Sequence, residues 1–188
     1  MNLMRAGDVS GLPVVSIESG EDVAEVRDVV YDGEAHRLVG FTLNKRGFFA
    51  GRMQSVLGGD SVAAIGPDAV MIESASAIEE QGAGPEPLNH LGAARLVLGN
   101  RVLSADGSDL GEVVAVILST GERPEAVGYE LKSPSHADTS FVPISAQMAL
   151  SAKNLIVPVE ATQFIRGDLA GFGAAIASYR SDELEQQP

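Results

Sequence analysis

The chemistry that this sequence could support is concentrated in one short basic and aromatic stretch, KRGFFAGR, at residues 45–52. Aromatic rings beside cations can stack on a nucleic-acid base or hold a phosphate. The alternative is a hairpin loop whose aromatic rings fold back onto the protein, because exposed phenylalanines are unfavourable unless a partner covers them. We favour the hairpin loop and keep its charged and aromatic residues as a candidate interaction site, namely Lys45, Arg46, Phe48, Phe49 and Arg52.

Residues that commonly bind metals are present, but not in metal-site patterns. The chain has no cysteine and three histidines, His36, His90 and His136, which lack the grouping of a metal site. We predict that all three are exposed and unrelated to one another. The segment from Asp106 to Asp109 resembles half of a calcium loop but lacks the later bidentate glutamate, so we predict a β-turn there.

Catalytic motifs are also missing from the sequence. It contains neither the GxSxG nucleophile elbow nor the GxxxxGK[ST] phosphate-binding loop. We therefore expect no catalytic, cofactor-binding or metal-ligating residues, and a protein that is not an enzyme.

The chain is acidic along its whole length. Its 188 residues carry 13 lysines and arginines against 26 aspartates and glutamates, which gives a net charge of −13. No long segment is basic, which argues against nucleic acid and anionic lipid as partners. No apolar run approaches about 18 residues, so we expect no membrane span. The first residues lack the apolar region of a secretory signal, and we expect a cytoplasmic protein.

Two stretches share one hairpin design, GLPVVSIESGEDVAEVRDVVY at 11–31 and GNRVLSADGSDLGEVVAVIL at 99–118. Asp106–Gly107 between apolar runs is a strong hairpin signal. A third strand follows in each copy, with VGFTL at 39–43 matching VGYEL at 127–131. We interpret the chain as a duplication, with units at 10–74 and 98–161 and a linker rich in glycine, proline and acidic residues at 75–97.

Both copies resemble the PRC-barrel domain family, through the order of strand, glycine turn, strand, turn and V-x-G-[FY] strand. The closing segments resemble the family too, with SVAAIGPDAVMIES in the first copy and FVPISAQMALSAKNLIVPVE in the second. The family includes the cytoplasmic domain of the photosynthetic reaction-centre H subunit and the C-terminal domain of a bacterial ribosome maturation factor. The resemblance implies small barrels that bind other macromolecules. The predicted fold class is mostly β, with two tandem small PRC-type β-barrels and a C-terminal amphipathic helix.

The predicted helix covers residues 162–181. Its apolar residues recur at helical spacing and form one stripe, made of Ile165, Leu169, Phe172, Ile176 and Tyr179. We predict that the helix docks on a barrel of its own chain or of a dimer partner, with Leu169, Phe172 and Ile176 as candidate interaction residues.

The second strands of the two copies differ at matched positions. The first copy has Arg27 and Asp28 where the second has Val114 and Ala115. Since successive strand residues point to opposite faces, we expect a charge on each face of the first strand and apolar residues on both faces of the second. A strand that is apolar on both faces must be covered on both. Val114 is therefore a candidate contact for the helix, the first barrel or another chain.

These observations predict a non-enzymatic interaction or assembly module that binds a protein partner or another copy of itself, for example as a homodimer. One alternative is an accessory factor in RNA or ribosome assembly that acts through protein contacts. A weaker alternative is a barrel that binds a small ligand or a lipid. We expect no cofactor.

Overall fold

The computed structural model describes residues 2–45, 55–80, 97–133 and 138–185. The fold is mostly β, as the sequence predicts. Its strands form one large sheet, accompanied by a few short helices. Within the described ranges, no helix has both the length and the apolar character needed to cross a membrane.

The described residues of the first half form eight strands and one short helix. Two single turns of 3-10 helix, Gly59–Ser61 and Ala75–Ala77, interrupt the strands. The elements are β1 (Asn2–Arg5), α1 (Ala6–Val9), β2 (Pro13–Ser16), β3 (Asp22–Asp32), β4 (Arg37–Lys45), β5 (Ser55–Gly58), β6 (Val62–Ile65), β7 (Val70–Ile72) and β8 (Ile78–Glu80).

The described residues of the second half form six strands and two helices. Its elements are β9 (Arg101–Ser104), β10 (Asp109–Glu122), β11 (Glu125–Lys132), β12 (Thr139–Pro143), β13 (Ala149–Leu150), β14 (Asn154–Val157), α2 (Val159–Thr162) and α3 (Leu169–Glu185).

The two halves have the same order of strand pairing. In the first half, β2–β3, β3–β4, β4–β5 and β6–β7 are antiparallel pairs, and β2 runs parallel to β7. In the second half, β9–β10, β10–β11, β11–β12 and β13–β14 are antiparallel, and β9 runs parallel to β14. The shared hairpin design that the sequence predicts therefore extends to the closing strands of each half.

Backbone conformation repeats at matched turns as well. In the first hairpin of each half, Gly20 has φ 72° and Gly107 has φ 92°, the left-handed region that glycine enters at little cost. In the second hairpin, the left-handed residue is His36 in one half and Arg123 in the other, with φ 51° and 53°. Left-handed non-glycine residues are uncommon, so this match indicates that both turns have one backbone design.

A β-bulge sits at the same place in β3 and β10 and corrects the prediction from strict alternation. The register shifts around Arg27 in β3 and around Val114 in β10, so each is the extra residue of its bulge. Arg27 and Asp28 are both exposed instead of lying on opposite faces. Val114 likewise turns to solvent.

The halves are joined by β10 and by one shared core. β10 pairs with β6 of the first half, where Gly121 lies opposite Ile65, and with β1 at the start of the chain. One cluster of buried apolar side chains contains residues of both halves, including Phe41 and Leu131. Two small units with limited cores of their own therefore stabilise each other.

The structure contains elements that the sequence analysis did not predict. β1 and α1 precede the first predicted unit, and β1 pairs with the second half. β8 falls inside the stretch interpreted as a linker and pairs with β5. Residues 81–96 of that stretch lie outside the described residues.

The C-terminal helix is present, but α3 begins at Leu169 and not at residue 162. Asp168 ends the preceding segment, and its carboxylate accepts a hydrogen bond from the Gly171 backbone N–H at 2.8 Å, as a helix N-cap does. Ile165 of the predicted stripe therefore lies outside the helix, whereas Phe172 and Ile176 are buried in it.

α3 packs on its own chain, and the apolar cluster that receives it does not include Val114. Phe172 and Ile176 pack against Ile117, Val127 and Phe141, and Leu169 lies at the margin of this cluster. The ring centroids of Phe141 and Phe172 are 5.6 Å apart. The helix covers β10 at Ile117, whereas the bulge around Val114 turns that side chain to solvent.

We expect Gly128→Ala to lower the free energy of unfolding by about 1–3 kcal/mol. A Cβ at Gly128 would lie 2.3 Å from Cζ of Phe172 and 2.6 Å from the carbonyl oxygen of Val142, so ring and backbone must both move. Urea denaturation measures the change. Gly7→Ala is the matched control, because nothing lies within 4 Å of its added Cβ. Equal stability of the two variants would contradict the packing of α3 on β11.

A candidate interaction groove between the two halves

A groove of about 310 Å³ lies between the two halves of the protein, where α1 contacts both β3 and β10. β3 contributes Asp28, Val29 and Tyr31 to its lining, and β10 contributes Val114, Ala115 and Val116. The remaining lining residues are Leu98 and the α1 region from Arg5 to Ser10, Val9 excepted. The groove thus lies between β3 and β10, which occupy matching places in the strand pairing of the two halves.

Apolar side chains are exposed at this groove. Leu98 is 45% exposed and Val114 is 41% exposed. They are two of the four large apolar residues that are exposed in the described part of the chain. The bulge explains the exposure of Val114, because it turns this side chain away from the core that contains Val113 and Val116.

An ion pair between the exposed side chain of Arg5 and the buried side chain of Glu130 holds one wall of the groove. Arg5 donates to both carboxylate oxygens of Glu130, from Nε at 2.5 Å and from Nη2 at 2.9 Å. The Glu130 side chain is 6% exposed and that of Arg5 is 42% exposed. The hydrogen bond from Arg5 lowers the pKa of Glu130, against the opposing effect of burial. A two-pronged contact of this kind fixes orientation, so it anchors β1 and α1 on the second half.

Two more carboxylates, Asp8 and Asp28, line the groove from its α1 and β3 sides. The only cation among the lining residues in the described part of the chain is Arg5, which is already engaged by Glu130. The hydrogen bond to Glu130 raises the pKa of Arg5, and Asp8 adds a smaller effect of the same sign.

Behind the groove, a chain of hydrogen bonds connects the two halves. The hydroxyls of Tyr31 and Tyr129 are 2.6 Å apart, and the Tyr129 hydroxyl also lies 2.6 Å from Nδ1 of His36. The Tyr129 hydroxyl can donate one hydrogen bond and accept another, so it can serve both neighbours. Burial raises the pKa of both tyrosines, which keeps the phenols neutral.

His36 is buried at this junction, at 8% exposure, so the prediction that it is exposed is wrong. Its Nε2 makes no hydrogen bond of good geometry within the described part of the chain. Burial lowers the pKa of His36, and the Met148 backbone and Asp32 oppose this more weakly. The neutral imidazole is therefore the form that the folded protein favours. His90 and His136 lie outside the described residues.

The other predicted site residues are distributed over separate parts of the chain. Arg46, Phe48, Phe49 and Arg52 lie outside the described residues, as does the side chain of Lys45. Leu169, Phe172 and Ile176 belong to the internal contact of α3. Among the predicted candidates whose side chains the structure describes, Val114 lines the groove. Within the described ranges, no group of three or more histidines and acidic residues is arranged to hold a metal ion.

The sequence analysis did not identify most of the residues that form the groove and the junction. A comparison of matched positions in the two halves does contain a signal for some of them. Tyr31 stands where the second copy has Leu118, and Tyr129 stands where the first has Phe41. Glu130 is the charged residue within the buried stretch 126–131 of β11. Polar groups that replace apolar ones at core positions need buried partners, and the partners here come from the opposite half.

We expect the free energy of unfolding to fall as the pH decreases from about 7.5 to about 5.5, and His36→Asn to flatten this dependence. The folded pKa of His36 is lowered, so below about pH 6.5 the unfolded chain takes up a proton that the folded chain refuses. Asparagine tolerates positive φ and can still bond to Tyr129. Urea denaturation of both proteins across this pH range measures the difference. His90 and His136 are present in both proteins, so their contribution cancels in the comparison. If the free energy of unfolding changed with pH in the same way in both proteins, His36 would have the same pKa in the folded and unfolded chains, and the prediction would be wrong.

The comparisons with known proteins agree with the first half of this arrangement. In a comparison with curated proteins, none matched the chain. The model of the PRC-barrel domain family matches residues 1–77, which includes β1 and α1 and reaches the second 3-10 turn. A PRC-barrel domain therefore occupies residues 1–77 of this protein.

Proposed function

We propose that this protein is a non-enzymatic interaction module built from two tandem PRC-type units, and that it binds a protein partner through the groove between them. The observation that carries the proposal is the exposure of Val114 and Leu98 at a groove that both halves line. Exposed apolar groups beside polar ones are a common feature of protein-interaction sites.

Three features support the second unit as a copy of the first. They are the common order of strand pairing, the bulges at Arg27 and Val114, and the left-handed residues at His36 and Arg123. Bulges and left-handed non-glycine residues are local departures from regular geometry, so their recurrence at matched positions favours a duplicated backbone over chance.

The chemistry of the groove supports binding in preference to catalysis. Its arginine is held by Glu130, and its tyrosine has a raised pKa and a buried hydroxyl that bonds to Tyr129. Neither group is poised to exchange a proton with a substrate near neutral pH. His36, the usual choice for a general base, lies behind the groove and is buried.

We expect Val114→Asp to abolish capture of the partner from an extract of the native host, because it places a charge in the apolar contact. Val159→Asp is the matched control, since Val159 is 39% exposed and does not line the groove. Quantitative crosslinking with mass spectrometry compares both variants with the wild type, and thermal melting verifies that both remain folded. Ribosomal proteins among the Val114-dependent partners would favour the role in ribosome assembly. Equal losses in the two variants, or none, would contradict the proposal.

A further inference from the structure

We propose that His36 acts as a pH-sensitive switch at the junction of the two halves. When it gains a proton, its ring leaves Tyr129 for solvent while the rest of the protein stays folded. This inference goes beyond the proposed function, because it concerns the junction behind the groove and requires no partner. It rests on the hydrogen bonds across the junction, on the buried Nε2 of His36 and on a matching turn in the second half.

The switch would act on a contact that joins the halves through one hydroxyl. His36 and Tyr31 belong to the first half, and the Tyr129 hydroxyl of the second half lies 2.6 Å from Nδ1 of one and from the hydroxyl of the other. The ring centroids of His36 and Tyr129 are 6.1 Å apart, and those of Tyr31 and Tyr129 are 6.3 Å apart. Tyr31 also lines the groove, so a change at His36 can reach the groove through Tyr129.

Proton uptake makes both ring nitrogens of His36 hydrogen-bond donors. Nδ1 can then donate to the Tyr129 hydroxyl, but the Nε2–H has no acceptor of good geometry in the described part of the chain. A charged donor that is buried without an acceptor is costly, whereas water satisfies it. The protonated ring is therefore more stable in solvent than at the junction.

The groups that face His36 compensate its charge only in part. Burial lowers the pKa of His36, and the Met148 backbone and Asp32 of β3 oppose this more weakly. The Asp32 carboxylate is itself 3.7 Å from Nε of Arg37, the neighbouring cation on β4. Both tyrosines of the junction stay neutral, because burial raises the pKa of each. The site therefore favours the neutral ring, and acidification favours its release.

A matching turn in the second half has no buried side chain at this position. His36 and Arg123 have left-handed φ angles of 51° and 53° in the second hairpin of their halves, but His36 is buried and Arg123 is exposed. The turn that carries His36 also has contacts of its own, since Asp32 accepts hydrogen bonds from the backbone N–H groups of Glu34 and Ala35 at 3.1 and 3.0 Å. This turn can therefore release its side chain and keep its backbone conformation.

The test is a pH titration of the full-length protein, followed by NMR with isotope labels in the histidine and tyrosine rings. The chain has three residues of each type, and Tyr179, which packs against Phe164, is the internal reference. We expect His36 to gain its proton below about pH 6.5. The ring signals of Tyr31 and Tyr129 should shift in step with it, while those of Tyr179 stay unchanged.

Two variants complete the experiment. His36→Asn lacks the titrating ring, so the signals of Tyr31 and Tyr129 should not change over the same pH range. His36→Arg introduces the residue type of the matching turn, and at about pH 7.5 it should give the tyrosine signals that the wild type reaches only on acidification.

The inference would be overturned if His36 gained its proton only as the native Tyr179 signals disappeared, because its release would then be global unfolding. It would also be overturned if His36 gained its proton while the signals of Tyr31 and Tyr129 stayed unchanged. A folded His36→Arg variant with wild-type tyrosine signals would contradict it as well. If His36→Arg does not fold, the wild-type titration still decides between release and retention of the ring.

Discussion

The structure depends on the pairing of a single long strand, β10. Along its length from Asp109 to Glu122 it pairs with β9 and β11 of its own half, with β6 of the other half and with β1. Its buried side chains Val113, Val116 and Leu118 belong to the core that both halves share. Because the halves are joined by hydrogen bonds and by apolar burial through the same strand, neither is expected to move independently of the other.

The matched bulges show how one backbone design yields two different surfaces. At this bulge the extra residue turns outward, which allows either a charged or an apolar side chain without disturbing the core. The first half places Arg27 there and the second places Val114. The difference leaves an apolar group at the junction, where α1 and β3 enclose it from the side. The groove thus depends on which residue each half places at this bulge.

The polar groups at the junction connect the halves in a defined geometry. The ion pair between Arg5 and Glu130 joins residues 125 positions apart, and the bond between Tyr31 and Tyr129 joins residues 98 positions apart. Apolar burial alone is non-directional, whereas hydrogen bonds require specific distances and angles. These contacts therefore restrict how the shared core can be arranged, and they support the wall of the groove from within.

The sequence by itself determined the local elements of this protein, because turn chemistry and side-chain periodicity act over a few residues. Asp106–Gly107 specifies a hairpin, and the spacing of Phe172 and Ile176 specifies a helix. The tertiary structure alone decided that β1 pairs with β10, that the bulge turns Val114 outward and that His36 is buried against Tyr129. These outcomes depend on contacts between residues far apart in the chain, and on a register that strict alternation cannot reveal. The groove is formed by such contacts, so only the folded chain could place it.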